Sequence, residues 1–220
     1  MTGKGKSGKV GGKVNKTWLH DHINDPYVKL AQKEGYRARA VYKLQEIDQT
    51  FHMLQQARTV VDLGCAPGAW CQYLSRSLKL GEGAGGDALV VGVDLLPMEP
   101  VPGVHFIQGD FQDDAVLAQM QVLLDGRTVD AVVSDMAPNL SGHAATDGAR
   151  VANLVELAVD FARHHLRPQG VMVAKVFHGP GYDDLAALFR ETFVQSRPYK
   201  PKASRSRSSE VFLVGQGLRA

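Results

Sequence analysis

The chain has 220 residues, of which 44% are hydrophobic, 22% charged and 7% aromatic. A chain of this length and composition can bury a sizeable core in one domain, which excludes disorder throughout, a coiled coil and a repeat array. The formal net charge of +2 conceals an uneven distribution, because residues 1–16 carry five lysines and no acid and leave −3 on the other 204 residues.

The first residues of the chain predict a flexible arm. Residues 1–16 are rich in Gly and Lys and hold too few apolar side chains for a core, so a basic arm is expected ahead of a single domain over residues 17–220. No apolar stretch of signal-peptide or membrane-spanning length follows, which favours a cytoplasmic protein without membrane contact. Cys65 and Cys71 match neither a zinc nor a C-x-x-C pattern, so reduced thiols and no metal site are expected.

The next segment has the period of an amphipathic helix. Ala40, Leu44, Ile47 and Phe51 follow one another at spacings of four, three and four, which predicts a helical stretch around residues 26–51. This stretch is expected to form the N-terminal helical segment of the domain.

From Thr59 onward, short apolar runs alternate with amphipathic helical patterns. Each run is rich in β-branched residues and nearly continuous in apolar character, as expected of strands buried on both faces of a parallel sheet. The runs cover residues 59–63, 88–94, 104–107, 129–135 and 171–177, and helical patterns lie around 113–124, 154–165 and 185–193. This alternation predicts an α/β fold with a doubly wound, mostly parallel sheet. Residues 210–214 form a last strand reached without a helix, which predicts an antiparallel C-terminal strand.

Polar residues follow the predicted strands at the edge where an open α/β sheet binds its ligand. Asp94, Asp110 and Asp135 stand at three strand ends, and a glycine-bearing turn at 64–68 follows the first strand. Asp94 can accept both hydroxyls of a ribose, and Asp110 can accept from an adenine amino group. Taken singly, each aspartate is as readily explained as a helix N-cap or a turn residue. The turn lacks G-x-G-x-x-G spacing, which disfavours a NAD-dependent dehydrogenase.

Lys175 interrupts an otherwise apolar strand. A lysine in such a strand is rarely buried without a partner, and Asp135 at the end of the neighbouring run is the expected counter-charge. The alternative is a side chain that reaches solvent from the end of the strand.

Blocks of specific sequence run through residues 25–216. The most specific are S-D-M-A-P-N-L-S-G at 134–142 and R-A-R-A-V-Y-K-L at 37–44, and D-L-G-C-A-P-G-A-W at 62–70 follows the first strand. The remaining blocks are V-D-L-L-P-M at 93–98, Q-G-D-F at 108–111, K-V-F-H-G at 175–179 and S-R-S-R-S-S-E-V at 204–211. Together they resemble the FtsJ/RrmJ (RlmE) family of ribosomal RNA ribose 2′-O-methyltransferases. The resemblance implies a Rossmann-like class I methyltransferase fold with a seven-stranded sheet.

The resemblance also implies an activity and a site. The expected reaction is methyl transfer from S-adenosylmethionine to a ribose 2′-hydroxyl of ribosomal RNA, at a uridine of 23S rRNA within the large ribosomal subunit, by a monomer. The family's catalytic tetrad corresponds to Lys43, Asp135, Lys175 and Glu210. The family's cofactor contacts correspond to Gly68, Trp70, Asp94, Asp110 and Asp135.

Each tetrad residue has an expected role. Lys175 is the expected general base or activator of the hydroxyl, with Asp135 as its orienting partner and Lys43 and Glu210 as electrostatic and positioning groups. A lysine accepts a proton only when neutral. The apolar strand and Lys43 favour the neutral form of Lys175, whereas Asp135 and Glu210 favour its charged form.

The sequence departs from the family's pattern at two places. Ala69 stands where the family has a second glycine, which predicts a tighter turn beside the methionine portion of the cofactor. Residues 81–87 form a longer glycine-rich loop before the second strand, and a loop extension of this kind has little thermodynamic cost.

Basic residues lie in or beside the segments that carry Lys43 and Glu210. They are expected to surround the target ribose with positive charge and to contact RNA phosphates. The alternative is a solvated basic face without a partner. The residues are Arg37, Arg39, Lys200, Lys202, Arg205 and Arg207.

Two other functions remain open at this level. The same fold could methylate the 2′-hydroxyl of another RNA, such as a tRNA or an mRNA cap, because a fold does not determine a substrate. A non-catalytic ribosome-assembly factor could also keep the fold without turnover, although the intact tetrad argues against it.

Overall fold

The computed structural model describes residues 24–80, 86–138 and 141–219. The predicted basic arm and most of the predicted loop at 81–87 lie outside these residues. Within the described ranges, no helix is long and apolar enough to cross a membrane.

One sheet of seven strands forms the centre of the domain, in the order β3-β2-β1-β4-β5-β7-β6. The strands are β1 Thr59–Leu63, β2 Leu89–Asp94, β3 Val104–Gln108, β4 Val129–Ser134, β5 Leu166–Phe177, β6 Phe193–Tyr199 and β7 Glu210–Leu218. The helices of the described residues are α1 Pro26–Glu34, α2 Val41–Phe51, α3 Ala69–Ser77, α4 Asp114–Leu124, α5 Ala144–His165 and α6 Tyr182–Thr192.

The strand directions match the predicted sheet. The neighbours among β1 to β5 pair in parallel, and β7 runs antiparallel to both β5 and β6. The prediction of a mostly parallel sheet with an antiparallel C-terminal strand is therefore confirmed.

The apolar pattern of the sequence misses β6. Most residues of this strand are exposed and one of them is Pro198, whereas β1 is buried along its whole length. β6 lies at the edge of the sheet, where a strand needs ladder hydrogen bonds on one side only and tolerates a proline. An edge strand can therefore lack the apolar run by which the inner strands are recognised.

The predicted helical stretch around 26–51 is confirmed, but the structure divides it into the two helices α1 and α2. Gly35 ends α1 in the left-handed conformation, with φ of 72°, and its backbone N–H bonds back to the last turn of the helix. Residues 35–40 then cross from one helix to the next without helical structure. The glycine is the physical cause, since it adopts this conformation without the steric penalty of a side chain.

The two faces of the sheet are covered by separate apolar clusters. On β5, Met172 and Ala174 belong to a cluster with α4, α5 and α6, whereas Val171 and Val173 belong to a second cluster with α2 and α3. Successive strand residues point to opposite faces, so β5 is buried on both sides. This three-layer packing leaves the carboxyl ends of the parallel strands along one open edge.

Candidate active site

A cavity of about 750 Å³ opens at the carboxyl ends of the parallel strands. Asp94 at the end of β2, Asp110 after β3 and Asp135 after β4 all line it. The turn after β1 lines it through Gly64 and Ala66. The structure thus brings together the three aspartates that the sequence singled out by their positions after strands.

Two of these aspartates are held by main-chain N–H groups. The carboxylate of Asp94 accepts hydrogen bonds from the N–H of Ala66 at 2.8 Å and of Leu96 at 2.8 Å. Oδ1 of Asp110 accepts from the N–H of Gln112 at 3.0 Å. Both are turn residues, as the alternative interpretation proposed, and both also face the cavity. The turn bonds orient the carboxylates and leave lone pairs for a ligand, since each carboxylate has about four acceptor sites.

Gly64 allows the turn after β1 to pass close to β4. Its φ is 76°, and a Cβ at this position would lie 2.8 Å from the main-chain nitrogen of Met136. A larger residue would therefore displace the wall of the cavity.

The other two predicted cofactor residues are not among those that line the cavity. Gly68 caps the N-terminus of α3 at φ of 102°. Trp70 is 3% exposed, donates from Nε1 to the carbonyl of Ala40 at 2.8 Å, and packs on Phe212. The indole of Trp70 therefore belongs to the core, so only the main chain of Trp70 could make the predicted cofactor contact.

Ala69 is also turned away from the cavity. It is buried in a small cluster with Ala31, Val41, Tyr42 and Ala203, which lie on α1, α2 and the segment before β7. The methyl group of Ala69 thus packs against the N-terminal helices, and its effect on the turn beside the cofactor stays a prediction.

Lys175 and Asp135 form the first charge pair of the tetrad. Lys175 is 8% exposed, and its Nζ donates a hydrogen bond to the main-chain oxygen of Asp135. The same Nζ lies 3.0 Å from Oδ1 of Asp135. The counter-charge expected for a lysine in an apolar strand is therefore present, and Asp135 belongs to both the cavity and the tetrad.

Lys43 and Glu210 form the second pair. Nζ of Lys43 on α2 donates to Oε2 of Glu210 on β7 at 2.7 Å, and the Ser204 hydroxyl donates to Oε1 of Glu210 at 2.8 Å. Lys175 pairs with Phe212 across the β5–β7 ladder, so Glu210 is its diagonal neighbour. The two pairs therefore lie side by side on the face of the sheet that α2 covers.

The charges around Glu210 determine its ionisation. Burial opposes the charged form, but the Lys43 ammonium and the Ser204 hydroxyl outweigh it, so the pKa of Glu210 lies below its ordinary value. Glu210 is therefore an anion at neutral pH.

Asp62 is a buried carboxyl group that the sequence analysis did not single out. It is fully buried at the end of β1, and Oδ2 accepts from the thiol of Cys71 at 3.2 Å, whereas Oδ1 has no partner among the described residues. Burial raises the pKa of Asp62 to about 7, and the charges of Asp135 and Asp94 act in the same direction. The signal in the sequence was an acid inside the apolar run at 59–63, the same kind of signal that drew attention to Lys175.

The structure separates the six predicted RNA-contacting residues into two groups. Lys200, Lys202 and Arg207 are exposed, and Arg205 is half-buried beside Asp25. Lys200 also donates to the main-chain oxygen of Ser208 at 2.7 Å, whereas Arg37 and Arg39 are half-buried.

Arg37 and Arg39 are held by contacts within the chain. Arg37 donates to three main-chain carbonyls, and Arg39 pairs with Asp25 and donates to the carbonyl of Ala203. Both guanidinium groups are thus held within the chain, and their contact with RNA stays a prediction. A basic pattern in a sequence does not reveal carbonyl partners that lie far away along the chain.

Comparison with known proteins assigns the family. A family model described as FtsJ-like methyltransferase matches residues 36–218. The chain belongs to the FtsJ-like methyltransferase family. The resemblance seen in the sequence blocks is thereby confirmed.

Relatives of this FtsJ-like methyltransferase are similar over almost their whole length. Proteins named ribosomal RNA large subunit methyltransferase E from Variovorax paradoxus and Delftia acidovorans are 57% and 60% identical to it. The matches cover 100% and 94% of this chain, and 98% and 96% of those relatives. A crystal structure of a Plasmodium falciparum protein, provisionally described as a ribosomal RNA methyltransferase, superposes with a TM-score of 0.70 at 27% identity, over 83% of this chain and 98% of the other.

Proposed function

We propose that this FtsJ-like methyltransferase transfers a methyl group from S-adenosylmethionine to a ribose 2′-hydroxyl of ribosomal RNA, at a uridine of 23S rRNA in the large subunit. The observation that carries the proposal is the position of Asp135, which lines the cavity and also pairs with the buried Lys175. A ligand in the cavity and a hydroxyl group beside Lys175 would therefore be neighbours. The names of the relatives supply the class of substrate.

The residues around the cavity fit S-adenosylmethionine. A volume of about 750 Å³ lies within the range of about 300–1,000 Å³ that small-molecule sites have. Asp94 is oriented to accept from ribose hydroxyls, and Asp110 offers its carboxylate to an adenine amino group. Asp135 provides negative charge on the side nearest Lys175. Gly68 and Trp70 are proposed to contribute through their main chains only.

The tetrad is proposed to prepare the nucleophile. S-adenosylmethionine, when bound, supplies an electrophilic methyl group on a sulfonium. Lys175 orients the 2′-hydroxyl and takes its proton at Nζ, which requires the neutral amine. Asp135 fixes the direction of Nζ, because its main-chain oxygen accepts a hydrogen bond from Nζ and its Oδ1 lies 3.0 Å away, and both contacts are open to the neutral amine. Lys43 and Glu210 neutralise each other, so that the region next to Lys175 carries little net charge.

The exposed cations near β7 are proposed to hold the RNA. Lys200, Lys202 and Arg207 lie on the segment that leads into Glu210, so phosphates bound there would bring a ribose towards the tetrad. We further propose that the protein acts as a monomer in the cytoplasm.

Labelled methyl groups identify the substrate directly. Purified protein is incubated with labelled S-adenosylmethionine and, in separate reactions, with large ribosomal subunits that lack the modification, naked 23S rRNA, and tRNA. We expect one alkali-resistant 2′-O-methylated linkage at a uridine of 23S rRNA in the subunits. Label on tRNA alone would favour a 2′-O-methyltransferase that acts on tRNA. No label on any RNA would favour a non-catalytic ribosome-assembly factor.

A further inference from the structure

Arg37 and Arg39 are two residues apart, but their guanidinium groups reach in different directions. Nη1 of Arg37 donates to the carbonyls of Pro67 at 2.9 Å and Glu99 at 2.6 Å, and Nη2 donates to the carbonyl of Pro100 at 2.8 Å. Arg39 instead reaches Ala203. Both residues lie in the short connection between α1 and α2.

The three carbonyls bound by Arg37 belong to the two loops that frame the cofactor cavity. Pro67 lies in the turn between β1 and α3, and Glu99 and Pro100 lie in the loop after β2. The Asp94 carboxylate joins the same two loops from the cavity side, through the N–H of Ala66. Arg37 and Asp94 therefore each link the turn after β1 to the loop after β2 by hydrogen bonds.

The fit of Arg37 against the turn after β1 is close. A Cβ on Gly68 would lie 2.5 Å from Nη1 of Arg37, so the glycine leaves the space that the guanidinium occupies. The main chain of Arg37 is fixed as well, because its N–H donates to Oε1 of Gln72 on α3 at 2.8 Å. The φ of 102° at Gly68 disfavours any other residue whatever its neighbours, so the glycine is explained without a cofactor contact.

Arg39 holds the other side of the site. Its partner Ala203 belongs to the segment before β7, which Glu46 of α2 also holds by accepting from the N–H of Lys202 at 2.7 Å and of Ala203 at 2.9 Å. The next residue, Ser204, donates to Glu210. Arg39 thus supports the segment that orients the second charge pair of the tetrad.

We propose that Arg37 is a positioning residue for cofactor binding and that Arg39 is a positioning residue for the tetrad and the RNA-facing segment. The inference rests on the proposed function, because it assigns S-adenosylmethionine to the cavity. Loops that are ordered before binding do not have to be ordered by the ligand, so loss of Arg37 weakens cofactor binding. A lysine cannot replace it, since an ammonium is a single point charge and not a planar fork with five donors.

Three variants separate the two roles: Arg37→Ala, Arg37→Lys and Arg39→Ala. The dissociation constant for S-adenosylmethionine is measured by calorimetry, and kcat and KM are measured for both substrates with large subunits as the acceptor. We expect Arg37→Ala to raise the Kd and KM for S-adenosylmethionine about 10-fold, with kcat and the KM for subunits within about twofold. Arg37→Lys is expected to restore little of the loss. Arg39→Ala is expected to leave the Kd within about twofold and to lower kcat/KM for subunits about 10-fold.

Other outcomes overturn the inference. Arg37 would instead be a phosphate contact if Arg37→Ala left the Kd for S-adenosylmethionine unchanged and lowered by about 1 the slope of log binding constant for RNA against log salt concentration. Equal effects of Arg37→Ala and Arg39→Ala on both substrates would refute the division of roles. Full rescue by Arg37→Lys would refute the bridging of the two loops by a planar fork. Wild-type protein that binds S-adenosylmethionine without methylating rRNA would refute the proposed function but leave the Arg37 test valid. Wild-type protein that does not bind it would refute both.

Discussion

The cofactor cavity and the tetrad hold their carboxylates by different means. In the cavity, Asp94 and Asp110 accept hydrogen bonds from main-chain N–H groups of turns at the strand ends. In the tetrad, Glu210 is held by the side chains of Lys43 and Ser204, and Lys43 lies 167 residues away along the chain. The cavity therefore follows from the local turns of the sheet, whereas the tetrad exists only when α2 and β7 are both docked. Asp135 belongs to both regions, but a change at a residue of one region alone should leave the other intact.

The largest expected effect is on the tetrad. Glu210→Gln removes the charge that holds Lys43 while keeping the shape of the side chain, so the reacting groups lose their alignment and turnover falls about 100-fold. The Kd for S-adenosylmethionine, measured by calorimetry, is expected to stay unchanged because Glu210 does not line the cavity. Glu191→Gln, on an exposed carboxylate of α6, is the matched control. A parallel loss of cofactor affinity would show that the two regions are not independent.

A change in the cavity is expected to lower cofactor affinity and to leave turnover unchanged. Asp94→Asn removes the proposed charged acceptor of the ribose hydroxyls, which should raise the Kd for S-adenosylmethionine about 30-fold. At saturating cofactor, kcat should remain near that of the wild type, because the tetrad pairs do not involve Asp94. Unchanged affinity in calorimetry would remove Asp94 from the cofactor site.

Asp62 of β1 and Glu210 of the tetrad are buried carboxyl groups whose pKa values are shifted in opposite directions. The pKa of Asp62 is raised to about 7 by burial, whereas the pKa of Glu210 is lowered by Lys43 and Ser204 against the effect of burial. Folded Asp62 keeps its proton between its ordinary value of 3.8 and about 7, while the unfolded chain loses it, so the free energy of unfolding falls as pH rises through that window. Glu210 acts in the opposite sense, since its stabilising contribution is complete above its ordinary value of 4.5 and is lost as the pH falls through its lowered pKa.

Asp62→Asn should remove the part of the pH dependence of the free energy of unfolding that Asp62 causes. Between about pH 5 and pH 8, the variant is expected to gain about 2 kcal/mol of stability relative to the wild type. Urea unfolding at the two pH values measures the difference. A difference between variant and wild type that is independent of pH would mean that Asp62 is already ionised in the folded protein.

The smallest expected effect concerns the exposed cations. Lys202→Ala should weaken RNA binding about threefold at low salt and reduce the slope of binding against salt concentration by about 1. Lys29→Ala, an exposed lysine on α1, is the control. Equal losses for both variants would indicate general charge and no localised RNA surface.

The sequence shows where the cavity residues lie, but it does not show which groups the basic residues contact within the chain. Asp94, Asp110 and Asp135 were found because parallel strands bring their carboxyl ends to one edge, a rule that needs no side-chain detail. Arg37 and Arg39 were assigned to RNA because their charge is visible in the sequence and their carbonyl partners are not. The pairing of Lys43 with Glu210 came from the resemblance alone, since no local pattern joins residues so far apart.

Turnover and cofactor binding of Lys175→Ala, measured on one preparation, test the central claim most directly. Labelled methyl transfer to large subunits gives the rate, and calorimetry gives the Kd for S-adenosylmethionine. Loss of the proposed general base is expected to lower turnover at least about 100-fold, with the Kd within about twofold of the wild type. A variant that keeps more than about a tenth of the wild-type turnover would contradict the assignment of Lys175 as the group that takes the proton.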